Sequence, residues 1–200
     1  MEQEKENLQK YDTYRVRNTC IEMLTDRNYN TSNLDINISY NDFLKIENID
    51  LMVKHNERNE EIYIKIYDDR TSVGIPEINK MIEDIQKEHN TDINIIIVVR
   101  NPKVINLGRI KYKNAEIFKM SELLINITKH QYVPKHEPLT EKEQEIYINE
   151  NTNIDIYKLP KIIIGSDPVA KYFNLKEGQM CRIYRNNPNT GKTIVYRIGI

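Results

Sequence analysis

The amino-acid sequence predicts an α/β N-terminal domain, a mixed sheet with helices packed on it, followed by a small α+β C-terminal domain that ends in a hairpin. Three stretches predict this. Ile93 to Val99, INIIIVV, is nearly all apolar and β-branched, the pattern of a strand covered on both faces. Ahead of it, Ile75, Ile78, Ile82 and Ile85 fall at helical spacing, so a strand, a crossover helix and this central strand make one α/β unit. Near the other end, MCRIYR and TIVYRIGI alternate like strands and flank NNPNTGK, a turn in which Pro188 fixes one backbone angle and Gly191 is free to take positive φ.

The other elements follow in order. Leu8, Tyr11, Tyr14, Ile21 and Leu24 sit at steps compatible with one face of a first helix, which Asn28, Asn30 and Ser32 break. Ser39, with Asp42 three residues on, caps a short helix. DLMVKH and EIYIKIY are strands joined by the polar NERNE. Gly74 and Pro76 open the isoleucine-striped helix. EIFK and LLINIT complete the first domain, residues 1–130. The segment 129–139, with two prolines, two histidines and no apolar period, reads as a linker into the second domain, 131–200. There Thr140 and Glu143 form a capping box, KIIIG is a short strand, and Asp167-Pro168 starts another helix. LKEGQ turns at Gly178 before the hairpin.

Composition excludes several classes. The chain has 200 residues, a net charge of −1 and no apolar run long enough to span a bilayer. Its charged opening, MEQEKENLQK, lacks the apolar core of a secretory signal. Two cysteines far apart, Cys20 and Cys181, offer neither a disulfide framework nor a cysteine-rich zinc site, and fit a reducing compartment. Charge divides unevenly: residues 161–200 carry seven basic and two acidic groups, a mild excess that either suits an acidic partner or is ordinary scatter.

Motifs of chemistry fail on their details. Gly191-Lys192-Thr193 resembles the tail of a phosphate-binding loop, but the position that needs the first glycine is Asn186, Pro188 has no N–H to give, and a strand follows. His55, His89, His130 and His136 have no metalloprotease spacing. No G-x-S-x-G or G-x-G-x-x-G occurs. A restriction-type nuclease needs Asp/Glu-x-Lys on a strand to hold Mg²⁺, and no lysine has an acid two residues before it. The nearest arrangement is Glu61 with Lys65; Asp68-Asp69 is a like-charged pair at a strand end. No catalytic residue, metal or cofactor is expected.

The segment from Leu159 to Arg197 carries a resemblance. It contains Leu159-Pro160-Lys161-Ile162, then Ser166-Asp167-Pro168-Val169-Ala170-Lys171-Tyr172, then Leu175-Lys176 with Gly178-Gln179, and finally Tyr196-Arg197. This resembles the C-terminal domain of the fifth common subunit of eukaryotic RNA polymerases, a domain that stands alone in the archaeal members of the family. Phe173, Asn174 and Glu177 depart from that pattern. YRVRNTCIEMLTDRNY and INIIIVV resemble, more loosely, landmarks of the eukaryotic N-terminal domain. The resemblance implies a two-domain, non-catalytic polymerase subunit. Its N-terminal "jaw" would have a nuclease-like fold without the catalytic residues and lie by downstream duplex DNA. Its C-terminal domain would assemble on the largest subunit.

By the same resemblance, Arg100, Asn101, Pro102 and Lys103 form the loop that approaches DNA, where two cations and an amide suit phosphates without reading bases; equally, they form an ordinary strand-end loop. Asp167, Pro168, Lys171 and Tyr172 are the candidates for partner contact, against helix initiation for Asp167-Pro168 and core filling for Tyr172. A nucleus is the implied location, or host cytoplasm or virion if the chain is virus-encoded, an option the abundance of isoleucine and asparagine leaves open. Two other readings stand beside this one: an active nuclease that depends on Glu61 or Asp68, and a free-standing adaptor with a polymerase-like binding domain.

Overall fold

A computed structural model describes residues 2–68, 73–89, 93–100, 112, 114–153, 155–187 and 191–200. They divide into two compact units, Met1–Ile125 and Asn126–Ile200.

In the first unit, α1 (Glu2–Asp26) is a run without glycine or proline. It buries Val16, Cys20, Met23 and Leu24, one face at helical spacing. The stripe expected from sequence holds only in part. Leu8 is 63% exposed and Tyr11 44%; Tyr11 and Tyr14 instead join Tyr40 and Phe43 in an aromatic cluster with α2 (Tyr40–Phe43). The helix stops where Asn28 takes φ 64° and Tyr29 N–H turns back to Leu24 O, a left-handed C-cap that asparagine tolerates.

Four strands follow, in spatial order β1 (Leu51–Lys54), β2 (Glu61–Tyr67), β3 (Asn94–Val99) and β4 (Ala115–Lys119). The β1/β2 pair is antiparallel and both other pairs are parallel. Helix α3 (Ile75–Glu88) supplies the crossover, entered at Gly74 and Pro76 as the sequence predicts. Its Ile78, Ile82 and Ile85 pack on Ile95, Ile97 and Val99 of β3 and Ile117 of β4. Successive strand side chains point to opposite faces, so Ile96 and Val98 are buried on the far side of the sheet. Each such side chain contributes roughly 1.5–3 kcal/mol relative to exposure. Helix α4 (Met120–Leu123) closes the unit against α1. Arg27, just past α1, makes a bidentate pair with Glu116 of β4, both bonds 2.8 Å.

The second sheet runs β5 (Lys135–Pro138), β7 (Met180–Asn187), β8 (Gly191–Gly199), β6 (Lys161–Ile162). Strand β5 corrects the sequence reading of 129–139 as linker throughout. Its Lys-His-Glu-Pro has no apolar period, yet it pairs antiparallel with β7 from Lys135↔Tyr184 to Pro138↔Cys181. Edge strands tolerate proline because one row of N–H groups faces away from the sheet. Helix α5 (Glu141–Glu150) starts at the predicted Thr140–Glu143 capping box. It docks on one sheet face through Gln144, which bonds Gly178 O (3.0 Å) and Met180 N–H (2.9 Å), and through Tyr147, whose ring lies 4.2 Å from that of Tyr196. Helix α6 (Pro168–Tyr172) and Leu175 cover Cys181 and Ile183 on the other. Gly199 is needed there: a Cβ would lie 2.6 Å from Lys176 O. Gly191 has φ 77° and opens β8, so the Gly-Lys-Thr sequence begins a strand.

Candidate functional sites

Parallel strands present their carboxyl ends to a common rim, and in the first unit that rim holds a charged cluster. Asp68 follows β2 and Arg100 follows β3. Arg100 Nε donates to Asp68 Oδ1, Nη2 donates to Gln9 O (3.1 Å) and Thr13 Oγ1 (3.3 Å), and Nη1 lies 3.6 Å from Asp12. Thr13 donates to Asp68 Oδ2, and Gln9 Nε2 reaches Asp68 Oδ1 at 3.0 Å. The Arg100 and Asp68 side chains are each 19% exposed. Arg100 therefore spends its guanidinium fork on α1 and β2, tying the start of the β3–β4 connection to the first helix. Asn101, Pro102 and Lys103 lie outside the described residues.

A second polar cluster occupies the β1 edge of the sheet. The side chain of Asp50, just before β1, is 6% exposed and accepts from Tyr63 OH (2.8 Å), Lys65 Nζ (2.7 Å) and Ile66 N–H (3.2 Å). Tyr63 and Lys65 stand on β2 with one residue between them. This is the spacing of an Asp/Glu-x-Lys pair, with a tyrosine where the second carboxylate would be. Burial first, then the bond to Asp50, push the Tyr63 phenol well above its ordinary pKa, so it stays a neutral donor. A divalent cation needs several hard oxygen ligands; Asp50 supplies one carboxylate, and three protein donors already occupy it. Glu61 pairs instead with Lys54 (2.9 Å) and Asp68 with Arg100, so neither joins Lys65. Among the described residues no three His, Cys, Asp or Glu side chains converge.

In the second unit, Asp167 caps α6: its Oδ1 accepts from Val169 N–H (2.9 Å) and Ala170 N–H (3.0 Å). Pro168 is exposed at the first helical position and Lys171 is half-buried. Tyr172 is 2% exposed, and its hydroxyl accepts from Asn126 Nδ2 at 3.0 Å. Of the two roles the sequence left open for Tyr172, the side chain occupies the core one, and Asp167 initiates a helix as well.

Two family descriptions match this chain: RNA polymerase Rpb5, N-terminal domain, over residues 7–85, and RNA polymerase Rpb5, C-terminal domain, over 125–198. A Dictyostelium discoideum protein, DNA-directed RNA polymerases I, II, and III subunit rpabc1, is 32% identical over 190 residues, covering 92% of this chain and 94% of its own length. The chain belongs to the RNA polymerase Rpb5 family. Other Rpb5-type relatives are the Arabidopsis thaliana DNA-directed RNA polymerase subunit 5-like protein 1, at 28% with 94% of this chain and 95% of that protein covered, and the Caenorhabditis briggsae DNA-directed RNA polymerases I, II, and III subunit RPABC1, at 27% with 96% and 98% covered.

The Rpb5 matches include Asp50, Tyr63, Lys65 and Asp68 in the first unit and Asp167, Pro168, Lys171 and Tyr172 in the second. Arg100 and the loop after it lie beyond the end of the N-terminal match. Sequence reasoning missed the whole Asp50 cluster. Its only signal was Tyr63-Ile64-Lys65, visible if tyrosine is allowed where the motif has an acid.

Proposed function

We propose that this Rpb5-family chain is a non-catalytic subunit of a multisubunit DNA-dependent RNA polymerase. Its C-terminal unit anchors on the largest subunit, and its N-terminal unit lies beside downstream duplex DNA. The observation that carries the reading is the pair of family matches, one on each unit, together with relatives aligned over nearly their full length. The first unit's chemistry agrees with a role in positioning: beside Lys65 a tyrosine replaces the carboxylate that hydrolysis would require.

Within this reading the segment Arg100-Asn101-Pro102-Lys103 meets the phosphates, with Arg100, held by Asp68 and by Gln9 of α1, anchoring its start. The partner contact lies at the start of α6: Pro168 and Lys171 offer surface, while Asp167 and Tyr172 hold the helix that presents them. Residues 1–130 carry net charge −3, so the isolated chain binds DNA weakly and the contact gains weight only in the assembled enzyme. The chain works in the nucleus, or in host cytoplasm or virions if virus-encoded.

The test is mass spectrometry of what co-purifies with the tagged full chain from its source. Stoichiometric recovery of the two largest polymerase subunits is the expected result. Recovery with unrelated proteins only would overturn it in favour of an adaptor.

A further inference from the structure

The two outer edges of the C-terminal sheet are built differently. On one edge, β5 is Lys-His-Glu-Pro, preceded by Pro134 and ending in Pro138. Prolines and charges of this kind discourage another strand from pairing. On the other edge, β6 is two residues long and pairs with β8 only at Ile198 and Gly199. Strand β8 begins at Gly191, so most of it runs past the end of β6.

The direction of the unpaired groups follows from the bonds that do form. Ile198 N–H points to Pro160 O on the β6 side, at 3.0 Å, whereas Gly199 N–H points to Gln179 O on the β7 side, at 2.9 Å. Backbone groups alternate along a strand, so Tyr196, Ile194 and Lys192 also direct their N–H and C=O groups outward. Among the described residues none of these has a backbone partner. The side chains along this edge, Thr193-Ile194-Val195-Tyr196, are β-branched or aromatic, and Ile194 is 53% exposed. A long, apolar, uncovered edge of this kind is what folded proteins avoid unless something pairs with it.

We infer that the edge of β8 from Lys192 to Tyr196 accepts an extended, acidic segment of a partner polypeptide as an added strand. A row of alternating donors and acceptors at strand spacing is complementary to another peptide backbone and not to a phosphate chain. The acidic character follows from charge. Arg185 and Lys192 are both exposed near the hairpin tip, and Lys161 lies exposed at the other end of the edge. The inference rests on the chain being part of a larger assembly, and names the contact that would hold it there.

Ile194→Pro is the discriminating variant. Its N–H faces away from β7, so proline removes an outward donor and blocks an incoming strand while every β7–β8 hydrogen bond stays available. Thr193→Pro would break the hairpin itself and serves as the misfolding control. The full chain is isolated alone and in whatever complex it is recovered in, and amide exchange is compared for peptides covering 191–198. Expected are at least tenfold slower exchange of that peptide in the complex, and at least tenfold less Ile194→Pro chain recovered with partners at unchanged melting temperature. Equal exchange in both states, or undiminished recovery of the variant, overturns the added strand. Protection that appears in the isolated chain as its concentration rises would make the occupant a second copy and overturn the partner segment. Loss of the polymerase assignment shows separately, in which proteins are recovered.

Discussion

Replacing Arg100 by alanine separates a structural anchor from a DNA contact. The change removes the cation that Asp68 and Asp12 face and the N–H groups that reach Gln9 O and Thr13 Oγ1. Breaking a fully buried pair from one side costs about 3–5 kcal/mol, and breaking an exposed one about 0.2–1 kcal/mol. With both side chains 19% exposed, the site lies nearer the buried limit, and a loss of about 2–3 kcal/mol is expected. Urea unfolding followed by far-UV circular dichroism reads it directly. At a slope of about 1–3 kcal/mol per molar, the transition of the N-terminal unit should fall by about 1 M or more. Asp68→Asn alone and with Arg100→Ala completes a cycle whose coupling should exceed about 1 kcal/mol, since the residues touch. Arg100→Lys should rescue only part, because an ammonium cannot reproduce the fork. An Arg100→Ala chain within about 0.5 kcal/mol of the parent would refute the anchor. The guanidinium would then be free for phosphate after all.

Further outcomes follow from the remaining sites. Tyr63→Glu places a second carboxylate beside Asp50, so the variant should melt below the parent in chelator and recover in millimolar Mg²⁺ or Mn²⁺, while the parent's melting is unmoved by either. Gly199→Ala forces a methyl group onto Lys176 O and should cost about 1–3 kcal/mol in chemical denaturation of the C-terminal unit. Asp167→Ala loses the α6 cap and should cost about 1 kcal/mol in the same assay, with Asp167→Ser restoring most of it. The His136 imidazole is held below its ordinary pKa, chiefly by burial. The folded state thus disfavours its protonation, so the contribution is full above the unfolded value of about 6.5 and is lost as pH falls toward the folded pKa. Melting temperatures at pH 7.5 and 5.5 should converge partly in His136→Gln.

How much of this was legible depends on the residue scale of each signal. The central strand, the crossover helix and the hairpin could be read because many side chains repeat one pattern; β3 needs burial on both faces and its six residues are all apolar but one. The capping boxes and Asp167-Pro168 were legible because a single turn contains the whole interaction. Strand β5 was not, because an edge strand is held by backbone pairing, which its side chains do not encode. Leu8 and Tyr11 had helical spacing, but spacing shows which residues share a face and not how far along the helix the sheet extends. Among the sites, α6 could be located from sequence because its motif is contiguous. The Asp50 cluster and the Arg100 anchor join residues 13 to 91 positions apart, and only the fold brings them together.

The Arg27–Glu116 clasp bears on how the chain is made. It joins the end of the first helix to the fourth strand, 89 residues later, and α1 also packs against α4 at the close of the same unit. The first helix leaves the ribosome long before the surfaces that cover it exist. At about 5–20 residues per second, the wait is roughly 5–20 s. During that time the cysteine- and methionine-bearing face of α1 and the isoleucine-rich strands β2 and β3 emerge without their final neighbours. The N-terminal unit is therefore expected to complete its folding only when its last elements have been synthesised. Nascent chains stalled before Glu116 should remain bound to chaperones and sensitive to protease, and those stalled once α4 has cleared the exit tunnel should become resistant.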